Sequence, residues 1–468
     1  MQDTIIFWFR RDLRIADNEA LLEAVKQGTV LPVYILDERE EYKIGGASRW
    51  WLHHALRTLY DTLDGKLLFF KGDATDLIPK LAKEANTHSV YWNTCYEPAF
   101  LESDKQITAS LKKIQVKSRA FDGTLLWPVG AITKKDGSPF KVYMPFLRAA
   151  LAGKAPHVPK PTPKGITLSS TKLKDSVPLD DLALLPKIHW DEGIKQAWEP
   201  GEESAQKMLT SFVFTKLKRY GAERNYPAHD VLSRLSPYLH YGEISSNQIW
   251  HAVHTDKVSD EDKQKFISEL CWRDFSYTIL VHFPQTPTES YHERLKKLKW
   301  NYNTELLKKW QQGQTGIPIV DAGMRQLWKT GYMHNRARMI TASFLVKNLL
   351  IDWRTGADWF LDCLVDADLA VNTMNWQWVA GSGLDAAPFF RIFNPVLQSK
   401  TYDPEGEYIK TYVPELRNLP AKYIHAPWAV SGKILAKAGM RLGSDYPEPC
   451  VDLKASAQAA LKAYHDTE

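Results

Sequence analysis

Four short segments beyond residue 230 carry side chains whose types and spacing could do chemistry. In ELCWRDF, Glu269, Trp272 and Arg273 recur at intervals of three and four, so a helix would show an acid, a flat ring and a guanidinium on one face. Such a face can read a base edge, stack on it and hold a phosphate. It is also the composition of a surface ion pair beside a core tryptophan. In MHNRARM, Asn335, Arg338 and Met339 share a face and Arg336 points elsewhere. A neutral amide can both donate to and accept from a heterocycle, though Asn335 also suits a plain helix start. In DADLAVNTMNW, Asp368, Asn372 and Trp376 fall one helical turn apart. Burying that stripe leaves polar groups unsatisfied unless a polar ligand or a basic partner meets it, and Arg338 is available to neutralise Asp366. Ser233, Arg234, Leu235 and Ser236 precede Pro237; two hydroxyls and backbone N–H groups at a helix start suit a phosphate or an ordinary cap.

Two patterns are set aside. Gly381–Ala386 reads GxGxxA, but Pro388 interrupts any following helix and no strand–helix–strand unit surrounds it. His53 and His54 are adjacent, without zinc-ligand spacing. The four cysteines are far apart and form no CxxC, which implies a reducing cytoplasm, no disulfide framework and no local metal site.

These segments need elements to position them. Ile5–Phe9, Val30–Leu36, Leu67–Phe70 and Val90–Trp92 are apolar runs of strand length, with Val116–Phe121 a weaker fifth. Helical patterns lie between them; one begins at Ser48, a good N-cap, and lines up Trp51, Leu52, Ala55, Leu56, Leu59 and Leu63. The alternation predicts an α/β domain with a doubly wound parallel sheet over residues 1–130. Prolines crowd residues 139–186, so 131–199 reads as an interdomain connector. Beyond it, 200–468 reads as an all-α domain, with helices over Glu202–Tyr220, Asp262–Val281, Pro318–Gly331, Asn335–Leu350 and Gly356–Leu364. A chain of 468 residues exceeds what one core supports, and 44% hydrophobic with 25% charged residues excludes a disordered or collagen-like chain. No apolar run is long enough to span a membrane, and the N-terminus does not read as a secretory signal. A net charge of +5 does not by itself imply nucleic-acid binding. Of 17 tryptophans, eight fall between Trp272 and Trp378, which demands either a large aromatic core or a site that uses rings.

The ordered segments WFRRDLRIADNEAL, GGASRWWLHHAL, SRLSPYLHYGEIS, ELCWRDF, TGIPIVDAGMRQL, GYMHNRARMITASFLVKNLLIDWR and NWQWVAGSGLDAAPFFRIFNP, with YVPEL and IHAPW after them, span both halves. Together they resemble the photolyase/cryptochrome family, most closely the bacterial class I cyclobutane pyrimidine dimer photolyases. The resemblance implies an N-terminal α/β domain that holds an antenna, a connector, and a helical domain that holds FAD. It implies a lyase that flips a dimer out of ultraviolet-damaged DNA and splits it with an electron from photoexcited reduced FAD.

By motif matching, Tyr220, Ser233, Arg234, Leu235, Ser236, Arg338, Asp366, Asp368 and Asn372 would bind the flavin, with Asn372 facing its N5. Glu269, Trp272, Asn335, Met339 and Trp378 would meet the lesion. Arg224, Arg273, Arg336, Arg391 and Gln398 would hold DNA phosphates. Trp376, Trp353 and Trp300 would relay electrons from the surface.

Two features depart from the family pattern. Leu232 stands where the family commonly has Thr, and NTCYEPAFLESD lacks the Asn–Glu pair of many folate-antenna members, which leaves the second chromophore open among methenyltetrahydrofolate, the default, a deazaflavin, a flavin and none. The resemblance further implies a cytoplasmic monomer with no membrane or metal partner. The alternative is a cryptochrome-type blue-light photoreceptor without repair activity. Asn372, and an end soon after Tyr446 without a long polar tail, weigh against it. Repair of the pyrimidine–pyrimidone (6-4) lesion would ask for a histidine pair where His334 and Asn335 stand.

Overall fold

The computed structural model describes residues 3–39, 43–255 and 258–467. They form two compact units. One comprises 1–218, 233–284 and 365–370; the other comprises 219–232, 285–364 and 371–468.

The first unit is built on a five-stranded parallel sheet: β1 (Thr4–Phe9), β2 (Thr29–Leu36), β3 (Leu68–Lys71), β4 (Ser89–Asn93) and β5 (Lys117–Phe121), in spatial order β3-β2-β1-β4-β5. The order reverses direction at β1, which makes the carboxyl edge there a natural ligand crevice. The central strands are apolar throughout because helices cover both faces; Ile6, Leu31, Val33 and Val90 are fully buried. The fifth strand, KSRAF, is mostly exposed and lies at the sheet edge, which explains its weak apolar signal. The helix expected from Ser48 begins two residues earlier, at Gly46 with Gly45 as cap, and Ser48 is buried inside it.

The proline-rich stretch is not a loose connector. It bridges to the sheet through Val30–Leu168 and Phe69–Val177 and contains the helix Tyr143–Ala152. Residues 233–284, expected in the helical half, cluster with this unit. The 23-residue helix Asp260–His282 starts at Ser259, whose side chain accepts from the Asp262 N–H, and three acids in its first turn suit the helix dipole.

The second unit is helical. The helix expected over Asn335–Leu350 is instead Asn335–Ser343 followed by a π-turn, Phe344–Asn348; in the first unit the one expected over Glu202–Tyr220 is likewise broken by a π-turn at Phe212–Lys216. Such wide turns are invisible to a 3.6-residue pattern. Three of the four cysteines, Cys95, Cys271 and Cys363, are buried as free thiols.

In the first unit the turn HYGE is fixed by sterics. Gly242 has φ +67°, and a Cβ there would lie 2.1 Å from the Arg11 carbonyl oxygen. The next residue, Glu243, is fully buried and accepts from Trp51 Nε1 at 2.7 Å; burial pushes its carboxyl up to about 8. The folded chain keeps a proton that the unfolded chain releases above its ordinary value of 4.5. Stability therefore falls, on the order of 1 kcal/mol per pH unit, as pH rises between the two values. Glu243→Gln, which keeps an acceptor for Trp51, is expected to flatten that fall and raise the melting temperature at about pH 8. Melting curves that shift in parallel for both proteins across this range would contradict it.

Candidate functional site

In the first unit the helix Asp260–His282 presents Glu269 and Trp272, both half-buried. Trp272 stacks on Tyr143, with ring centroids 3.6 Å apart and planes at 14°. Tyr143 is held in turn by its hydroxyl, which donates to the Ser268 carbonyl at 2.6 Å.

Arg273 departs from expectation. Its guanidinium is 8% exposed, donates to the carbonyls of Thr124 at 2.8 Å and Leu239 at 3.4 Å, and stands 3.7 Å from Asp368. A cation committed to the interior cannot serve a DNA phosphate, so the phosphate role expected for Arg273 is withdrawn. Its neighbour Asp274 is also interior, and burial pushes its carboxyl up to about 7.

Asp368 lies just before the helix Leu369–Ala380, not within it. Tyr277 donates to its Oδ2 at 2.8 Å, and His240 Nδ1 lies 3.9 Å away. Burial, with Arg11 beside the ring, holds the His240 imidazole down at about 4, so it is neutral at neutral pH. Ser236 Oγ donates to Asp366 at 2.6 Å. Leu235 is buried and caps the six-residue helix that begins at Ser236; its N–H faces Ser233 Oγ at 3.4 Å. Arg234 adopts φ +53° and turns its guanidinium onto Trp198, 4.1 Å from the ring centroid, where it donates to the Ala197 carbonyl. Its side chain is thereby withdrawn from the flavin set, and only its backbone can contribute.

In the same unit a cavity opens at the carboxyl edge of β1 and β2, lined among others by Trp8, Arg10, Tyr34, Asp37, Phe100 and Tyr241. Trp8 Nε1 is buried and has no partner among the described residues. Arg10 is held by Asp104 at 2.8 Å and the Asn93 carbonyl at 2.6 Å.

In the second unit the helix Leu369–Ala380 carries Asn372 and Trp376 one turn apart. Asn372 is 9% exposed, and its amide nitrogen donates to the Ala357 carbonyl at 3.1 Å. That leaves Oδ1 as the atom able to accept a proton donor. Trp376 is packed edge-on to Phe360 (4.9 Å) and Trp310 (6.3 Å). Trp353 is fully buried, and Trp300 is half-buried against the cluster of Leu295, Leu298 and Phe389.

Asn335 is the first residue of its helix and is exposed, with His334 as the cap; Met339 and Trp378 are half-buried. Arg338 donates to the Met333 carbonyl at 2.8 Å. Arg336 donates to Asn225 Oδ1 at 2.8 Å and covers the Tyr402 ring at 4.2 Å. Arg224 and Arg391 both lie close enough to lower the Arg336 pKa, after burial and against the opposing pull of Tyr402. Arg224 stands 5.4 Å from the ring centroid of Tyr220. Gln398 is half-buried on the helix Pro395–Tyr402. Two guanidinia in electrostatic range of a third, that of Arg336, suit a polyanion.

Sequence reasoning missed Tyr143, Tyr277, His240, Asn225 and Tyr402, whose roles exist only through contacts distant in the chain. It also passed over Gly356, although WRTGADWF was open to inspection. No metal-binding cluster exists among the described residues.

A family model described as DNA photolyase matches residues 5–164, and one described as the FAD binding domain of DNA photolyase matches residues 266–466. The chain is 44% identical over 467 residues to a deoxyribodipyrimidine photo-lyase of Agrobacterium fabrum, covering 98% of this chain and 97% of that one. It is 34% identical to Cryptochrome-2 of Arabidopsis thaliana, covering 100% of this chain and 79% of the relative. The crystal structure of a bacterial class III photolyase from Agrobacterium tumefaciens superimposes with a TM-score of 0.97 at 43% identity, covering 100% of this chain and 98% of that one. The chain belongs to the photolyase/cryptochrome family, carries its FAD-binding domain, and stands with the photo-lyase enzymes. Each unit holds groups that suit a flavin: in the second a neutral amide with a spare acceptor, Asn372, and in the first a hydroxyl–carboxylate pair, Ser236 and Asp366.

Gly356 is set by Trp376. A Cβ at 356 would lie 2.2 Å from the indole Cη2 and 2.5 Å from Leu345 Cδ2. Gly356→Ala is expected to displace the ring and to destabilise the protein by about 1–3 kcal/mol, an overpacking cost. Thermal melting and the near-ultraviolet circular dichroism of the aromatic bands check this; spectra and melting identical to wild type would contradict the packing described.

Proposed function

We propose that this chain is a light-driven DNA repair enzyme that splits cyclobutane pyrimidine dimers. The observation that carries the proposal is the Arg224–Arg336–Arg391 cluster, in the same unit as Asn372 and Trp378. Reduced FAD, when bound, supplies the light absorption and the electron that opens the cyclobutane ring. The chain's own residues do the rest.

Arg224, Arg336, Arg391 and Gln398 hold phosphates around the lesion, and extruding a damaged pair costs only a few kcal/mol. In the first unit Glu269 accepts from a base edge and Trp272 packs on a base face; in the second Trp378 packs on a base face and Asn335 and Met339 meet the lesion. Tyr220, Ser233, Ser236, Arg338, Asp366 and Asp368, with the backbone of Arg234 and Leu235, hold the flavin. Asn372 accepts from a flavin N–H without adding negative charge. Trp376, Trp353 and Trp300 carry electrons inward; the first two are buried and Trp300 is half-buried, so the entry to the relay is at Trp300.

The 43% identity to a class III photolyase favours class III over the class I expected from sequence. We assign the cavity at the carboxyl edge of β1 and β2 to a second, flat chromophore, with methenyltetrahydrofolate the default; aromatic walls and the buried Trp8 N–H suit a heterocycle with an acceptor. In this reading 1–130 form the antenna-binding part, 131–199 the connector and 200–468 the catalytic part of a cytoplasmic monomer. Among the described residues no helix is long and apolar enough to cross a membrane. The photoreceptor alternative rests on the 34% likeness to a cryptochrome, against 44% to a photo-lyase.

Purified protein is expected to restore ultraviolet-damaged thymine tracts under blue light and not in darkness. Glu269→Ala is expected to lower repair about tenfold or more with FAD content unchanged. A flavin-loaded protein that leaves dimers intact would instead indicate a photoreceptor, and loss of FAD in the variant would show Glu269 to be misassigned. Trp376→Phe is expected to abolish photoreduction of oxidised FAD while chemically reduced enzyme repairs normally; equal repair loss in both states would exclude the relay.

A further inference from the structure

Lys347 lies in the π-turn Phe344–Asn348 of the second unit and is 1% exposed. Its ammonium donates to the Phe389 carbonyl at 2.8 Å and to the Ala380 carbonyl at 3.4 Å, and sits 3.5 Å from the centroid of the Phe389 ring. A buried cation held by carbonyls and a ring is an expensive arrangement. Burial alone pushes the ammonium down to about 7, and no charged neighbour contributes to that shift.

The two carbonyls are the ends of one segment. Ala380 closes the helix Leu369–Ala380, where a carbonyl lacks a partner within the helix and the dipole favours a cation. Phe389 lies nine positions on. Between them the chain folds back on Trp378, whose carbonyl accepts from the N–H groups of both Gly381 and Ala387 at 3.2 Å. Gln377 fixes the other side: its carbonyl accepts from Ser382 and Gly383, and its side chain donates to Thr286 and Glu289. Trp378 stands just before this segment and Arg391 just after it.

We propose that Lys347 is a positioning residue for DNA recognition: its ammonium ties the two ends of the 380–389 segment together and so sets Trp378 and Arg391 for a pyrimidine dimer and its phosphate. The proposal rests on the repair reading above. Lys347 touches neither DNA nor flavin in it; it acts through the segment.

The test uses flavin-loaded, full-length Lys347→Met, which keeps an unbranched apolar stem and removes the donors. Two quantities are read: amide exchange across 335–343 and 378–391, and the ratio of affinities for dimer-containing and undamaged DNA of one sequence. Exchange at Gly381 and Ala387 is expected to quicken about tenfold or more, with the rest of the helix Asn335–Ser343 unchanged. The affinity ratio is expected to fall about tenfold. Lys347→Gln, with two donors for the two carbonyls, is expected to recover part of both. If Lys347→Met does not fold, Lys347→Gln and Phe389→Leu carry the same measurements, with smaller losses expected. Unchanged exchange and an unchanged ratio in a folded variant would overturn the proposal, as would a fall in melting temperature alone. Trp378→Ala separates the two layers. Should it leave the ratio untouched while Lys347→Met still loosens the segment, the lesion assignment fails and the clamp stands. Should Trp378→Ala abolish discrimination while Lys347→Met leaves it intact, the clamp fails and the lesion assignment stands.

Discussion

The helix Leu369–Ala380 constrains everything proposed for this protein. One turn of its backbone separates Asn372 from Trp376, so an amide acceptor and a buried ring are held at a spacing that no loop could keep. The helix is in turn held by what surrounds those two side chains. Ala357 takes the Asn372 amide hydrogen, and Gly356, its neighbour in sequence, makes room for the Trp376 indole. The same two-residue stretch of the helix Trp353–Cys363 thus orients the amide and seats the ring.

Much of this was legible in the sequence, for identifiable reasons. Buried parallel strands are continuous apolar runs, so β1, β2 and β4 were readable from their cores IIFWF, VLPVYIL and VYW, while the exposed edge strand KSRAF was faint. The Asn372–Trp376 spacing was readable because helical period is local. What failed was non-local. Arg273 has the spacing of a surface residue on ELCWRDF, yet carbonyls 149 and 34 positions away take its hydrogens. Arg234 sits in a phosphate-suited SRLS run, yet a left-handed backbone turns its side chain onto Trp198. The proline-rich stretch has linker composition, yet two bridges bind it to the sheet and it supplies the Tyr143 ring beneath Trp272. Composition reports what a segment cannot do alone, not what its neighbours hold in place.

Two uses of arginine stand out, one in each unit. In the first, Arg10, Arg14 and Arg273 are interior and spend their hydrogens on carbonyls such as those of Asn93, Gly123, Gly242 and Thr124. Fixed guanidinia of this kind rigidify backbone turns and leave no charge for a ligand. In the second, Arg336 is only partly buried, its hydrogen-bond partner Asn225 is neutral, and its neighbours Arg224 and Arg391 are of like sign. A net charge of +5 could not distinguish these uses, because it counts both kinds of arginine equally.

The buried thiols have a consequence for service life. Desolvation pushes Cys95 up to about 12 and raises Cys271 and Cys363 as well, and the partly exposed Cys450 reaches about 11. Peroxide attacks the thiolate, not the protonated sulfur. An illuminated flavoprotein works where oxidants are made, and here every cysteine is kept in the form that resists sulfenic acid, so wear under light falls on other side chains.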